Sequence, residues 1–197
     1  MGIKEVVCYG IGNFGEKTSA PTAPQWQLAC IIQLVDSMKI FCGDVVVHYY
    51  EPFMTELEKE FLESKSIKII ADNEKGKRLA KDPTFFFMPH CPMSLYSNLL
   101  FTNCGRLDNV VIFGNSLSDY ANRLYKNCHT ELLRSLEPQF EEQRMAITKE
   151  ETVELPGAFE QAFNDSSVIR FGRGCSFDVP PSLREALLSN DAPDEAV

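Results

Sequence analysis

No stretch of this 197-residue chain approaches the roughly 20 consecutive apolar residues needed to cross a bilayer, so the sequence predicts no membrane-spanning helix. The opening Met-Gly-Ile-Lys-Glu reads neither as a secretory signal nor as an Arg-rich transit peptide, and Val6 stands where a myristoylation signal needs Ser or Thr. Absent too are a G-x-S-x-G nucleophile elbow, an H-E-x-x-H zinc helix and a P-loop, which removes the commonest hydrolase, zincin and NTPase readings. Seven cysteines (Cys8, Cys30, Cys42, Cys91, Cys104, Cys128 and Cys175) include no C-x-x-C pair. Their odd number and scatter argue against a disulfide framework and a structural zinc site, and point to reduced thiols in a cytoplasmic or nuclear setting. Excess positive charge is lacking as well: a formal net charge of −9 repels phosphate backbones and argues against direct nucleic-acid binding. The one compact basic cluster is Lys75, Lys77, Arg78 and Lys81.

What is present is an alternation of short apolar runs and helical patterns. Strands are predicted at Val6 to Tyr9, Asp44 to Tyr50, Ile67 to Ile70, Thr84 to Met88 and Asn109 to Gly114. Helices are predicted from Gln25 to Lys39, Phe53 to Ser64, Glu74 to Lys81, Ser94 to Cys104 and Ser118 to Leu136, the first introduced by Pro24. Runs such as Phe85-Phe86-Phe87 and Val110-Val111-Ile112-Phe113 are apolar on both faces, as strands covered by helices on each side must be. The economical architecture is an α/β, Rossmann-like, doubly wound and mostly parallel sheet of order 3-2-1-4-5, from right-handed crossovers. The charged segment Glu137 to Glu154 reads as a solvated helix or loop, Phe159 to Phe163 as a helical turn, and Ser167 to Phe171 as an added edge strand. Residues 1–189 are expected to form a single domain, and the acidic tail Asn190 to Val197 to be disordered.

In this architecture ligands bind outside the carboxyl ends of the strands where the order reverses, between the first and fourth strands. The chemistry-bearing residues fall on that edge. Gly10, Gly12 and Gly15 have G-x-G-x-x-G spacing, and such glycines let the backbone turn tightly against a phosphate or an adenosyl group. Here the Pro-rich segment Glu16 to Pro24 separates the turn from its helix, so the helix N-terminus that takes a pyrophosphate is not contiguous with it. Glu51, ending the second strand, is placed either to accept hydrogen bonds from ribose hydroxyls or to stand solvated. Gly10, Gly12, Asn13, Glu51 and Asn115 are the candidate ligand-binding set, with S-adenosylmethionine or a nucleotide as the first candidate ligands. His90 and Cys91, after the fourth strand, are the candidates for acid, base or thiolate chemistry, the alternative being a hydrogen-bonded structural turn. Cys91-Pro92 also matches the Cys-Pro pair of haem-regulatory motifs. Ser116 or Ser118 can cap the following helix, Lys77 and Arg78 can take an anion, and Tyr96 and Asn98 either line the crevice or pack beneath it. No metal site is expected.

Several segments together resemble the SRR-like domain family, named after the plant protein "sensitivity to red light reduced". They are Cys8-Tyr9-Gly10-Ile11-Gly12-Asn13-Phe14, Tyr50-Glu51-Pro52-Phe53, Asn73-Glu74-Lys75-Gly76-Lys77-Arg78, Met88-Pro89-His90-Cys91 with Leu95-Tyr96-Ser97-Asn98-Leu99-Leu100, and Val111-Ile112-Phe113-Gly114-Asn115-Ser116. The likeness runs from about Val6 to Leu124, and Asn164-Asp165-Ser166-Ser167-Val168 resembles the closing strand. The resemblance implies a regulatory role: light signalling and circadian-clock gene expression in plants, haem biosynthesis and clock genes in animals, microtubule behaviour in a fungal relative. It brings no catalytic set, and implies protein partners without identifying them. The competing reading is an S-adenosylmethionine- or nucleotide-dependent transferase using Gly10, Gly12 and Glu51, with His90 near the reacting atoms. A third is a haem sensor through His90 and Cys91.

Overall fold

The computed structural model describes residues 2–124, 126–145 and 157–189. Strands are β1 (Glu5–Tyr9), β2 (Val46–Tyr50), β3 (Lys68–Ile69), β4 (Thr84–Met88), β5 (Val110–Asn115), β6 (Phe140–Arg144) and β7 (Ser166–Phe171). Helices are α1 (Ala23–Cys42), α2 (Glu56–Ser64), α3 (Met93–Thr102), α4 (Leu117–Ala121), α5 (Cys128–Leu136), α6 (Gly157–Phe163) and α7 (Pro181–Ser189). The strands form one sheet of order β3-β2-β1-β4-β5-β7-β6, parallel through β5 and antiparallel at β7 and β6. The predicted order 3-2-1-4-5 is therefore the parallel part of the sheet.

Alternation along each strand splits the core into two layers. Val7, Tyr9, Phe86, Met88, Val110 and Ile112 face α3, α4, α5 and α7, while Val6, Cys8, Val47, Tyr49, Phe85, Phe87 and Phe113 face α1, α2 and α6. β1 and β4, buried on both faces, are the strands whose carboxyl ends diverge to open the switch point. None of the helices described is long and apolar enough to cross a membrane, and none of the seven cysteines, all among the described residues, forms a disulfide.

Four features depart from the sequence expectation. Glu74 to Lys81 is a loop, not a helix: Lys75 and Gly76 both adopt positive φ, and a Cβ on Gly76 would stand 2.6 Å from the Leu95 carbonyl oxygen. Asparagines replace the helical hydrogen bonds, since Asn103 accepts from Ala80 N–H and donates to the Arg78 carbonyl, and Asn98 donates to the Lys75 carbonyl. Ser118 to Leu136 is two helices, because Asn127 caps α5 by accepting from Thr130 N–H at 2.8 Å. The charged segment after Glu137 contains β6, and β7 lies between β5 and β6 instead of at the edge. β6 reads Phe-Glu-Glu-Gln-Arg, the composition that protects an outer strand from pairing with another chain. Asn190 to Val197, expected to be disordered, lies outside the described residues.

Candidate functional site

At the carboxyl ends of β1, β2 and β4 the chain leaves a crevice of about 420 Å³, bordered by Tyr9, Gly10, Tyr50, Glu51, Asn73, Gly76, His90, Cys91 and Leu95 among others. It lies where the strand order reverses, as the sequence predicted. The turn on its β1 side carries positive φ at Gly10 (66°) and Gly12 (86°), a conformation that costs a side-chain-bearing residue and suits glycine.

In a phosphate-binding turn such amides point at the ligand; here they are committed to the protein's own carboxylates. Gly12 N–H donates to Glu51 Oε2 at 2.9 Å, and Phe53 N–H donates to Glu51 Oε1 at 3.3 Å. Phe14 N–H and Gly15 N–H both donate to Glu58 Oε1, at 2.6 and 2.8 Å. The other Glu58 oxygen accepts from the Thr55 amide and hydroxyl, each at 2.8 Å, and from Asn13 Nδ2 at 3.2 Å. Asn13 also donates to the Phe53 carbonyl, so its side chain ties the turn to the start of α2. Burial works to raise the Glu58 pKa, but the hydrogen bonds from Thr55, Gly15 and Phe14 outweigh it and hold the carboxyl below its ordinary value. Gln25, in the first turn of α1, donates to the carbonyls of Phe14 and Glu16 and accepts from Thr22 N–H, which fixes the Pro-rich segment.

The β4 side is held by neutral groups. Tyr96, fully buried on α3, donates its hydroxyl to the Met88 carbonyl and accepts from Asn115 N–H at 2.9 Å. Asn115 Oδ1 accepts from His90 N–H at 2.8 Å, its Nδ2 donates to the Tyr120 hydroxyl at 2.8 Å, and that hydroxyl donates to the Cys91 carbonyl. His90 adopts φ 57°. Its Nε2 lies 3.2 Å from the Ala162 carbonyl on α6, a separation at which the Nε2–H tautomer donates. Cys91 is 3% exposed and its thiol donates to the Tyr9 carbonyl. Burial, with the Glu51 charge adding, pushes that thiol well above its ordinary pKa, so it stays protonated. Ala162 belongs to the α1-side layer and Cys91 to the α3-side layer, so the His90 ring and the Cys91 thiol reach to opposite faces of the sheet.

The basic loop is similarly committed. Arg78 donates to Glu5 Oε1 through Nε and Nη2, at 3.0 and 2.8 Å, and to Glu74 Oε1 through Nη1 at 2.8 Å, while the Tyr9 hydroxyl donates to Glu74 Oε2 at 2.6 Å. Ser116 caps α4 by accepting from Asp119 N–H. Tyr96 packs beneath the crevice, and Asn98 clamps the loop at Lys75. Glu58 is the residue that reasoning from sequence missed. Its signal was the Thr55-x-x-Glu58 spacing of a capping box, which the structure forms at the start of α2.

The family model of the SRR1 domain matches residues 1–170. The chain belongs to the SRR1 domain family. A protein of Arabidopsis thaliana named "Protein SENSITIVITY TO RED LIGHT REDUCED 1" is 32% identical over 179 residues, covering 89% of this chain and 62% of its own length. An "SRR1-like protein" of Mus musculus is 37% identical over 121 residues, 60% of this chain and 46% of the mouse protein. Another of Drosophila melanogaster is 28% identical over 177 residues, 82% and 60% of the respective chains. The chain thus spans about half to three-fifths of the length of these relatives. The SRR1 match takes in the crevice, both turns that frame it and the Asn-clamped loop.

Proposed function

We propose that this SRR1-family chain is a regulatory protein that works by binding, and that its crevice takes a small ligand carrying no phosphate at the glycine turn. The observation that carries the reading is the commitment of the Gly12, Phe14 and Gly15 amides to Glu51 and Glu58, beside a crevice that remains open. A phosphate brought to this turn meets two carboxylates and loses the donors that would offset their repulsion. The crevice walls instead offer the Tyr50 ring, Leu95 and Pro92, with Asn73 and His90 among the polar groups. S-adenosylmethionine, which has no phosphate, stays compatible with such a turn; ATP and NAD(P) do not. Ligation of haem iron by Cys91 is not part of the proposal, because the thiol is buried, protonated and turned away from the His90 ring.

The regulatory half of the reading is supported by kinship. The plant relative is named for sensitivity to red light, and the clock-gene and haem-biosynthesis roles implied by the family resemblance belong to the same proposal. Removing the chain from its own cells is expected to shift clock-gene or haem-synthesis transcripts, and unchanged transcripts would remove that half.

The binding half is tested by calorimetric and thermal-shift titration with S-adenosylmethionine, ATP, NAD(P) and haemin, since a ligand specific for the folded state raises apparent stability by mass action. ATP and NAD(P) are expected to leave the melting temperature unchanged. Saturable binding of either, lost in Tyr50→Ala, would overturn the phosphate-free reading. Glu51→Ala is a poor probe of ligand contact because it also removes the acceptor of Gly12 N–H.

A further inference from the structure

A second concavity, of about 620 Å³, lies on the outer side of the glycine turn, between Phe14-Gly15 and α2. Its walls are Phe14, Leu28, Leu57 and Phe61, with Glu58 and Glu60. Leu57 and Phe61 lie four residues apart on α2 and so share one face of the helix. An amphipathic helix of a folded domain turns its apolar face inward; here Leu57 stays 68% and Phe61 40% exposed. Inward burial on α2 falls instead to Glu58 and Leu62. The Glu58 carboxylate that closes the glycine turn is therefore also what fixes one wall of this groove against the other. Phe14 is clamped through its amide by Glu58 and packs edge-on against Phe61 at 5.8 Å between ring centroids.

The charges around the groove select the occupant. Glu16, just after the glycine turn, and Glu56, Glu60 and Glu63 on α2 are exposed; they outnumber Lys17, Lys59, which pairs with Glu56, and Lys65, which lies over the Phe61 ring. Glu60 lines the groove with no cation paired to it among the described residues. A second copy of the chain docked by its own α2 would bring the same acidic border against itself, which like-charge repulsion disfavours. We propose that the groove between the glycine turn and α2 is a docking site for an amphipathic helix of a partner protein, whose apolar stripe covers Leu57 and Phe61 and whose flanking Lys or Arg residues meet Glu60 and Glu63. The proposal stands without the crevice ligand, since its residues form a separate concavity.

The test is a fluorescence-anisotropy titration of the full chain with three synthetic peptides: one helical with a Leu stripe flanked by Lys, one with the same stripe flanked by Glu, and one scrambled with the Lys count kept. The Lys-flanked helix is expected to bind at least about tenfold more tightly than either control, with affinity falling as salt rises. Leu57→Asp is expected to weaken that binding at least about tenfold, because a buried unpaired carboxylate would face the stripe. Its melting temperature should stay at the wild-type value, since the side chain is exposed in the free protein. Equal binding of the scrambled peptide, or binding undiminished by Leu57→Asp, overturns the site. Sedimentation supplies a second way to fail: a wild-type dimer that Leu57→Asp converts to monomer assigns the groove to a second copy and overturns the partner helix.

Discussion

On the β1 side of the crevice the turn is held by two carboxylates, Glu51 and Glu58, whereas on the β4 side it is held by neutral groups, the phenols of Tyr96 and Tyr120 and the amide of Asn115. Both sides solve the same problem, the satisfaction of backbone amides and carbonyls where strands end and no ladder continues. The difference lies in what each solution commits. A carboxylate takes up several donors at once, binds them strongly and bars another anion from the turn. A phenol or amide both donates and accepts, so it links successive groups into a chain and leaves the electrostatics of the site unchanged. The charged side should therefore contribute more to stability and depend on pH; the neutral side should do neither.

The most damaging way to break the comparison is Glu58→Ala. It orphans Phe14 N–H and Gly15 N–H, removes the capping box of α2 and takes one of the two acceptors of Asn13. A loss of about 3 kcal/mol is expected, from the range for hydrogen bonds to a charged group together with a lost cap. Glu58→Gln keeps an acceptor in place and should recover about half of that loss. Denaturant-midpoint measurements on the two variants check this. An alanine variant within about 0.5 kcal/mol of wild type would mean that the turn amides find water at little cost.

Titration sharpens the same contrast. The Glu58 pKa is depressed in the folded protein, so its contribution is fully present above the unfolded value of 4.5 and is lost as pH falls through the folded value. The gap in stability between wild type and Glu58→Ala should accordingly shrink as the solution is taken from neutral to below that unfolded value. Glu142 on β6, also depressed despite its burial by hydrogen bonds from Ser116, Ser118 and Ser167, adds acid sensitivity of its own. It is common to both proteins and cancels in the difference.

Those two carboxylates show how far the sequence could be read. The parallel strands were legible because burial on both faces leaves nothing but apolar residues, and the switch point followed from their order. Glu51 was legible as a residue of the crevice edge, but its partners were not: whether a carboxylate faces a ribose or its own backbone depends on where the Gly12 amide points. Glu58 lay within a predicted helix, and its contact with Phe14 spans 44 positions, which no local pattern encodes. β6 was missed because an exposed outer strand needs no apolar alternation, and the loop after β3 because Asn98, Asn103 and Asn109, which donates to the Ala80 carbonyl, do the work of helical hydrogen bonds from far along the chain. What escaped is long-range polar satisfaction; what was caught is apolar burial.

On the neutral side, Tyr96→Phe is nearly isosteric and removes only the hydroxyl, taking the acceptor from Asn115 N–H and leaving the buried Met88 carbonyl with the longer bond from Cys91 N–H at 3.4 Å. A loss of about 1–2 kcal/mol is expected. Unlike that of Glu58→Ala, it should be constant from neutral to acid solution, because no group in the chain from Tyr96 through Asn115 to Tyr120 changes charge there. Parallel denaturation curves at the two pH values decide it. A marked pH dependence would show that the two sides are coupled through the crevice.

The smallest effect is expected at His90, which stands between the two systems. Its positive φ is an ordinary cost for a non-glycine residue, and glycine would relieve it. Glycine also gives the unfolded chain more freedom, an opposing effect of similar size. The exposed ring's contact with the Ala162 carbonyl adds little in water, so His90→Gly should lie within about 0.5 kcal/mol of wild type. That near-neutrality is itself informative, because the backbone N–H of residue 90 keeps its bond to Asn115 whichever side chain is present. If the variant instead loses more than about 1 kcal/mol, the ring must contribute more than a solvated contact. The imidazole would then be what ties α6 to the crevice edge, joining the two faces of the sheet at the end of β4.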